Sequence, residues 1–576
     1  MGDKEISRYA KWGDTATNML KILLLCDTFN SLTQRVFCYL QDLGHDVSVE
    51  YAISDEAMRE GVRLFAPDLI IAPYLTKKIP KDIYEATPTF ILHPGPFGDR
   101  GAYALENAIL QGVRRWGASL IEASEEFDGG AVWACDEFAM PKASKGHIYR
   151  TKVSDLAVEL VEELLQRWQD GTKPLPNPME PMHPRITQKV RQIDWERDTT
   201  ADIVRKIDAS DNYPGVRDNF LGVDLYLFGA VEERAGLEKI EARPKQIIAK
   251  RDGAVLVKTI DGAVWIREMT QIEDGIRQIK LPSTYVLKER LKGIKERRIP
   301  LYVEPDMATF KEITFKQKGR IGYLAFDFYN GAMSSERCVR LKYAIETLQE
   351  EVDILALLGG EQFFSNGIHL CILEESKKPG EDGWSNINAM NNLVKSLLFS
   401  EDVLTIAAFR ANAGAGGLFL GLAADFVLAR SGVVLNPHYK TLGLSGSELH
   451  SYTLPRRVGQ KMAKRLLDEA LPISAKKALQ IGMVDGLFED MQEVEIFANS
   501  LLEDEERYYE LLDSKRERLE RDEERIQEAL EKELERMYPQ FWDPASSFHA
   551  LRHDFVYKVC PTATPLRLAR HRRGDA

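Results

Sequence analysis

Two parts of this 576-residue sequence bring ionisable side chains to places where they can do chemistry. In FILHPGPFGDRGAYALENAIL (90–110) a strand end delivers His93, and a glycine-bearing loop then runs to Arg100-Gly101 before a helix. A second loop, EASEEFDGGAVWA (122–134), sets Asp128 just before another strand. Ligands of parallel α/β sheets sit beyond the carboxyl ends of the strands. A histidine and an aspartate on neighbouring strand-end loops can therefore polarise a carbonyl and relay protons in acyl transfer, the carboxylate orienting the imidazole and raising its basicity. Far downstream, GGEQFFSNGIHL (359–370) follows a buried strand and ANAGAGGLFLGLAAD (411–425) opens a helix with a glycine cluster. Free N–H groups at a helix start suit a developing oxyanion, and glycine lets a ligand approach closely. Beyond them NPHYKTLGLSGSE (436–448) carries Tyr439 and Glu448: Glu448 can abstract or shuttle a proton, Tyr439 can donate one, and His438 is a lesser candidate.

These residues need scaffolds. From Leu20 to about Leu165, KILLLC (21–26), VSVEYA (47–52) and DLIIAP (68–73) read as strands, with a helix from about Leu32 to Leu43. Val153, Leu156, Leu160 and Leu164 mark an amphipathic closing helix that Gly171 stops. A doubly wound α/β domain with a mostly parallel sheet is expected over 1–172. Five prolines in KPLPNPMEPMHP (173–184) exclude helix and central strand and predict an extended linker. Over 185–308 a short helix near 199–208 precedes alternating runs joined at Asp252-Gly253 and Asp261-Gly262, so a small antiparallel barrel is expected. RIGYLAF, VDILALL and VLTIAAF are strands of a second α/β core over 309–500. In the helical extension 501–576, residues 503–537 alternate charges with sparse apolar positions and read as a solvated helix or helix pair.

Composition narrows the function. The chain has 76 Lys+Arg against 89 Asp+Glu, a net charge of −13, and so no basic surplus for gripping nucleic acid. Four arginines in the tail RLARHRRG do not change that. No apolar run approaches the roughly 18–20 residues of a membrane span. MGDKEISRYAKWGD lacks a signal-peptide core, and Ile6 stands where a myristoylation motif needs Ser or Thr, so a cytoplasmic location is expected. Six cysteines (Cys26, Cys38, Cys135, Cys338, Cys371, Cys560) form no CxxC pair and read as buried free thiols. Ten histidines show no HxH or HExxH spacing, so no metal site is expected.

Residues 20–305 resemble the N10-formyltetrahydrofolate-dependent formyltransferases and hydrolases. His93-Pro94, Arg100-Gly101 and Asp128-Gly129-Gly130 match the family's Asn-x-His-Pro, its loop ending in Arg-Gly, and its Asp-x-Gly. Ile193-Asp194-Trp195, DNYPG (211–215) and the following barrel resemble the C-terminal, OB-like domain of the methionyl-tRNA formyltransferases. The resemblance implies that the pterin lies against Pro73, Tyr74 and Leu75 and the 122–128 loop with Glu125, and that Ile91 and Arg100 are further cofactor contacts. Ile91 replaces the family's asparagine and removes a donor to the formyl oxygen, a loss worth about 2.7–4 kcal/mol in a measured oxyanion hole. Either another group replaces it or the acceptor chemistry differs, and the acidic balance disfavours transfer RNA as acceptor.

Residues 314–490, with LPRRVG (454–459) and PISAKKALQIGMVDGL (472–487), resemble the crotonase superfamily of acyl-CoA enzymes, an α/β spiral fold. That implies oxyanion donors at the amides of Ile368 and Gly416, and a loop of Ser365, Asn366, Ile368, His369 and Leu370 beside the CoA adenine. Phe419 stands at the first of the two hydratase glutamates and His438 near the second; a phenyl ring cannot act as a base, which argues against enoyl hydration. In this order the two halves resemble the HypX (HoxX) family of NiFe-hydrogenase maturation factors. The resemblance implies N10-formyltetrahydrofolate and coenzyme A as cofactors, small-molecule substrates, and hydrogenase maturation proteins as partners. His93 and Asp128 would assist formyl transfer to the CoA thiol. The amides of Ile368 and Gly416 with Tyr439 and Glu448 would then release carbon monoxide from formyl-CoA. Two alternatives stay open: a formyltransferase or hydrolase of one-carbon or acyl-CoA metabolism, and a non-catalytic CoA-binding scaffold.

Overall fold

Runs apolar on both faces build the first sheet. The computed structural model describes residues 19–234, 236, 241–301 and 308–573; the N-terminal stretch read for targeting, Ile6 included, lies outside the described residues. Strands β1 (Lys21–Cys26), β2 (Asp46–Tyr51), β3 (Leu69–Ala72), β4 (Thr89–His93), β5 (Arg115–Glu122) and β6 (Val132–Ala139) lie in the order β2-β1-β3-β4-β5-β6. Pairing is parallel from β2 through β4 and antiparallel at β4-β5 and β5-β6. The order reverses between β1 and β3, and the carboxyl end of such a switch point is where α/β sheets open a crevice. The helix Ser154–Gln169 covers one face with Leu156, Leu160, Val161 and Leu164, after a π-helical turn over Tyr149–Val153.

The proline-rich segment is extended, as its composition demands, but it is not a free linker. Leu175 forms a bridge with Val132, and Asn177 Nδ2 donates to the carbonyls of Asp128 (2.9 Å) and Gly130 (3.0 Å). It is strapped across the strand-end loops of the first domain.

Strands β7 (Val216–Phe220), β8 (Val223–Glu233), β9 (Ile247–Arg251), β10 (Ala254–Lys258), β11 (Ala263–Glu273) and β12 (Ile276–Pro282) form the antiparallel second unit. Asp252-Gly253 and Asp261-Gly262 lie at two of its turns. Hydrogen bonding follows β7-β8-β11-β10-β9, with β12 on the second half of β11, so the sheet coils around its core as an open barrel.

The third unit comprises β13 (Ile313–Lys318), β14 (Ile321–Phe326), β15 (Ile354–Leu358), β16 (Phe363–Ser365), β17 (Leu404–Phe409), β18 (Asn412–Gly414), β19 (Phe426–Arg430), β20 (Val434–Asn436), β21 (Ile473–Ser474) and β22 (Gly486–Phe488). They divide into a sheet β13-β14-β15-β17-β19-β22 and a smaller one, β16-β18-β20-β21, whose strand ends carry the glycine segments. The reading of 503–537 as a solvated helix or pair is corrected. One helix, Glu505–Trp542, buries Leu519, Ile526, Leu530, Met537 and Phe541 in the core of this unit. These positions recur at alternating spacings of seven and four, so most charges of the sequence occupy the opposite face. The tail then returns to the first sheet, where Leu568 O accepts the Val49 amide and His571, Arg572 and Thr564 surround the buried Glu50.

Two candidate active sites on one chain

The end of β4 carries His93 into a cavity of about 1160 Å³. Pro73, Tyr74, Leu75, Ile91, His93 and Asp128 line it, so Ile91 presents an apolar wall beside the imidazole. Arg100 and Glu125 do not line it. The Arg100 guanidinium instead donates to Phe127 O (3.1 and 2.9 Å), and the Gly101 amide donates to Asp128 Oδ2 (2.9 Å), so Arg100-Gly101 clasp the loop that presents Asp128. His93 is buried, with Nδ1 3.6 Å from Asp128 Oδ2 and Nε2 2.7 Å from Asp99 Oδ2. The other oxygen of Asp99 lies 2.5 Å from His183 Nε2. Sequence reasoning missed both Asp99 and His183. Asp99 was visible as a carboxyl in the same loop as His93, whereas nothing in the spacing of the proline-rich segment marks His183.

The second site is buried: Phe419, Tyr439 and Glu448 are all almost wholly shielded from solvent. Tyr439 donates its hydroxyl to Glu448 Oε2, and its ring stacks on Phe419 with centroids 5.3 Å apart. Burial pushes the Glu448 carboxyl above its ordinary range, and burial with the neighbouring Glu448 pushes the Tyr439 phenol far up, so the phenol stays protonated. The Ile368 and Gly416 amides donate no hydrogen bond to another described residue. Gly367 (φ +80°) lets the two segments meet, since a Cβ there would lie 3.2 Å from the Gly416 nitrogen. A Cβ on Gly416 would fall 2.8 Å from the Glu448 carboxyl, so amides, carboxyl and phenol converge.

The rest of the 365–370 loop is used within the fold. Ser365 Oγ accepts the Gly367 amide at 3.1 Å, and Asn366 Nδ2 donates to Asn330 O at 2.9 Å. His369 caps the helix Leu370–Glu375, its ring nitrogen accepting from Ile372 N, and burial lowers its imidazole to about 3. Leu370 is buried in the core. Burial lowers His438 to about 4, leaving a neutral ring 3.2 Å from Thr441 Oγ1. Sequence reasoning also missed Glu533, on the helix that it read as solvated. Its carboxylate accepts the Leu449 (2.9 Å) and Ser451 (2.7 Å) amides and lies 3.1 Å from His450, while Asn391 accepts the Glu448 amide (2.8 Å). These bonds hold Glu448 (φ +62°) and Leu449 (φ +54°) in left-handed backbone, a conformation that non-glycine residues keep only under such constraint.

The cavity at His93 extends to Arg150 and to 211–214. There the Arg150 guanidinium donates to Gln362 Oε1 (2.6 Å) and lies over the Phe363 ring, and Asn212 meets Asn330, which holds Asn366. The far end of the first cavity thus abuts the loop of the second site. Among the described residues no group of three or more His, Cys, Asp or Glu could hold a metal ion, and no helix is long and apolar enough to cross a membrane.

The enoyl-CoA hydratase/isomerase family matches residues 328–541, and the formyl transferase C-terminal domain family matches 185–278. The hydrogenase maturation factor HoxX of Bradyrhizobium diazoefficiens is 37% identical, over 96% of this chain and 97% of its own. The chain belongs to the HoxX/HypX family of hydrogenase maturation factors. The crystal structure of HypX from Aquifex aeolicus in complex with tetrahydrofolic acid superposes with a TM-score of 0.93 at 42% identity, covering 97% of this chain and 99% of that one. Outside the HoxX/HypX family, the methionyl-tRNA formyltransferase of Fervidobacterium nodosum is 26% identical over 39% of this chain and 73% of its own. A formyltransferase half followed by an enoyl-CoA hydratase-like half is therefore the chain's architecture, and the second match runs through the long helix to its penultimate residue.

Proposed function

We propose that this family member makes carbon monoxide for the NiFe site of hydrogenase in the cytoplasm, by two reactions in series. In the first, the formyl group of N10-formyltetrahydrofolate passes to the thiol of CoA. HypX of Aquifex aeolicus binds tetrahydrofolic acid, and the cavity here suits the same ligand: apolar walls from Pro73, Leu75 and Ile91, with His93 and Asp128 at one point of the rim. His93 takes the thiol proton, Asp128 stabilises the imidazolium, and the proton returns to the amine as the C–N bond breaks.

In the second reaction the amides of Ile368 and Gly416 hold the thioester oxygen of formyl-CoA. Glu448 takes the formyl proton, the C–S bond breaks with its electron pair on sulfur, and the carbon leaves as carbon monoxide. The proton passes to the thiolate, restoring CoA, and nothing is oxidised or reduced. Burial makes Glu448 a stronger base than a solvated carboxylate, and Tyr439 holds it in place. The observation that carries this proposal is the Glu448–Tyr439 pair beside two unused amides, with the Phe419 ring where a hydratase would need a carboxylate. Abutting sites also fit a thioester that water would hydrolyse.

The test is a sealed-vial reaction of protein, 13C-formyl-labelled tetrahydrofolate and CoA, with carbon monoxide trapped by deoxyhaemoglobin and formate followed in parallel. Labelled carbon monoxide is expected. Labelled formate alone would support the alternative of a formyltransferase or hydrolase, and binding of CoA without any turnover would support a scaffold.

A further inference from the structure

The two ring nitrogens of His93 are treated differently. Nε2 lies 2.7 Å from Asp99 Oδ2, whereas Nδ1 stands 3.6 Å from Asp128 Oδ2, outside hydrogen-bond reach. Asp99 receives His183 Nε2 on its second oxygen at 2.5 Å. An ionised carboxylate only accepts hydrogen bonds, so Nε2 of both imidazoles carries the hydrogen, and in the neutral His93 ring the lone pair then lies on Nδ1, on the Asp128 side. The carboxylate of Asp99 is packed in place, since a Cβ on Gly95 would lie 2.1 Å from its Oδ2. His183 is delivered by the proline-rich segment, which pairs with the Asp99 loop through Glu180 N to Gly98 O (3.0 Å) and His183 N to Arg100 O (3.3 Å).

We propose that Asp99 and His183 are positioning residues of the first site: they fix the His93 tautomer with hydrogen on Nε2, so that Nδ1 is the base that takes the thiol proton. The proline-rich strap is then a working part of that site. The role of the base rests on the formyl transfer proposed above. When the S–H bond breaks, the new N–H bond forms at Nδ1 and the imidazolium stands between Asp99 and Asp128. The proton leaves for the amine nitrogen of the folate when the C–N bond breaks, restoring the same tautomer.

Asp99→Asn tests this, because His183 dictates how the amide points. With His183 donating to the amide oxygen, the NH₂ group faces His93 Nε2, which must accept, and the hydrogen is forced onto Nδ1. Loss of a tautomer-fixing aspartate lowers kcat about 10⁴-fold in a serine protease. Here tetrahydrofolate formation is expected to fall about 10²- to 10³-fold with KM for the formyl donor within about threefold, while release of carbon monoxide from supplied formyl-CoA is unchanged. Adding His183→Leu frees the amide to turn its oxygen to His93, and the double variant is expected to regain about tenfold over Asp99→Asn. The 15N shifts of His93, assigned by their absence in His93→Gln, are expected to report Nε2–H in the wild type and Nδ1–H in Asp99→Asn, with no turnover needed. A wild type that transferred no formyl group would sink the proposed reaction and still leave the tautomer decided. The inference is overturned if wild-type His93 carries its hydrogen on Nδ1. It is equally overturned if Asp99→Asn keeps its rate or the double variant is no faster than the single one.

Discussion

In the proposed reactions the His93 site and the Glu448 site handle a proton by opposite means. At His93, carboxylates and imidazoles alternate from the cavity wall inward: Asp128 and Asp99 flank His93, His183 flanks Asp99, and of the four only His93 and Asp128 line the cavity. At Glu448 one carboxyl and one phenol lie beneath a stacked phenyl ring, and desolvation raises the carboxyl. A thiol proton is acidic enough for an imidazole base. A formyl C–H is far less acidic, so its removal leans on a carboxylate that burial makes more basic than a solvated one and on the two amides that take up charge on the oxygen, and water there would divert the thioester to formate. One chain thus holds a polar proton-transfer site and a dry one, and the difference follows from the acidity of the hydrogen each is proposed to move.

The comparison breaks first if the sites cannot be inactivated separately. Glu448→Gln is expected to lower carbon monoxide release from supplied formyl-CoA by about 10³-fold while tetrahydrofolate still forms at the wild-type rate, read by gas trapping and absorbance. Asp128→Asn is expected to do the converse, slowing tetrahydrofolate formation about 10²-fold and leaving formyl-CoA breakdown intact. Tyr439→Phe sharpens the contrast with an expected loss of about tenfold. The hydroxyl's hydrogen bond lowers the Glu448 carboxyl against the dominant effect of burial, so its removal moves the rising limb of the pH–rate profile further up. In the wild type that limb already lies above the ordinary carboxyl value of 4.5, because the active form is the carboxylate and burial favours the acid.

The smallest effect concerns stability. Burial opposes the charge on His450, yet Glu533 reverses this and holds the imidazole above its ordinary 6.5. A raised histidine adds stability that is complete below pH 6.5 and lost as pH rises through the raised value. Denaturant titration should show that decline in the wild type and a flatter profile in Glu533→Gln.

The units of the fold were legible because their signals are local. KILLLC and DLIIAP are too apolar to be anything but buried strands, and Asp252-Gly253 and Asp261-Gly262 can only be turns between β-branched runs. Tyr439 and Glu448 were legible as a pair for the same reason, nine residues apart and beside the glycine loop. What escaped is what other segments bring from a distance. His183 reaches Asp99 across 84 positions, and Glu533 reaches Leu449 across 84. Neither has a spacing to betray it. The helix Glu505–Trp542 was misread because its apolar positions are few, while Lys515 and Glu533, which read as solvated charges, are buried against Asp425 and the Glu448 turn. A buried charge with a partner supplied by tertiary structure looks in sequence like any surface charge.

The central claim is that the two sites act in series on one formyl group. The direct measurement is complementation: His93→Gln and Glu448→Gln proteins are each given labelled N10-formyltetrahydrofolate and CoA, alone, mixed, and with formyl-CoA supplied, and labelled carbon monoxide is trapped. Carbon monoxide is expected from neither variant alone, from His93→Gln when formyl-CoA is supplied, and from the mixture in proportion to the thioester that escapes into solution. Carbon monoxide from His93→Gln with the folate donor alone, or none from it with supplied formyl-CoA, would contradict the account.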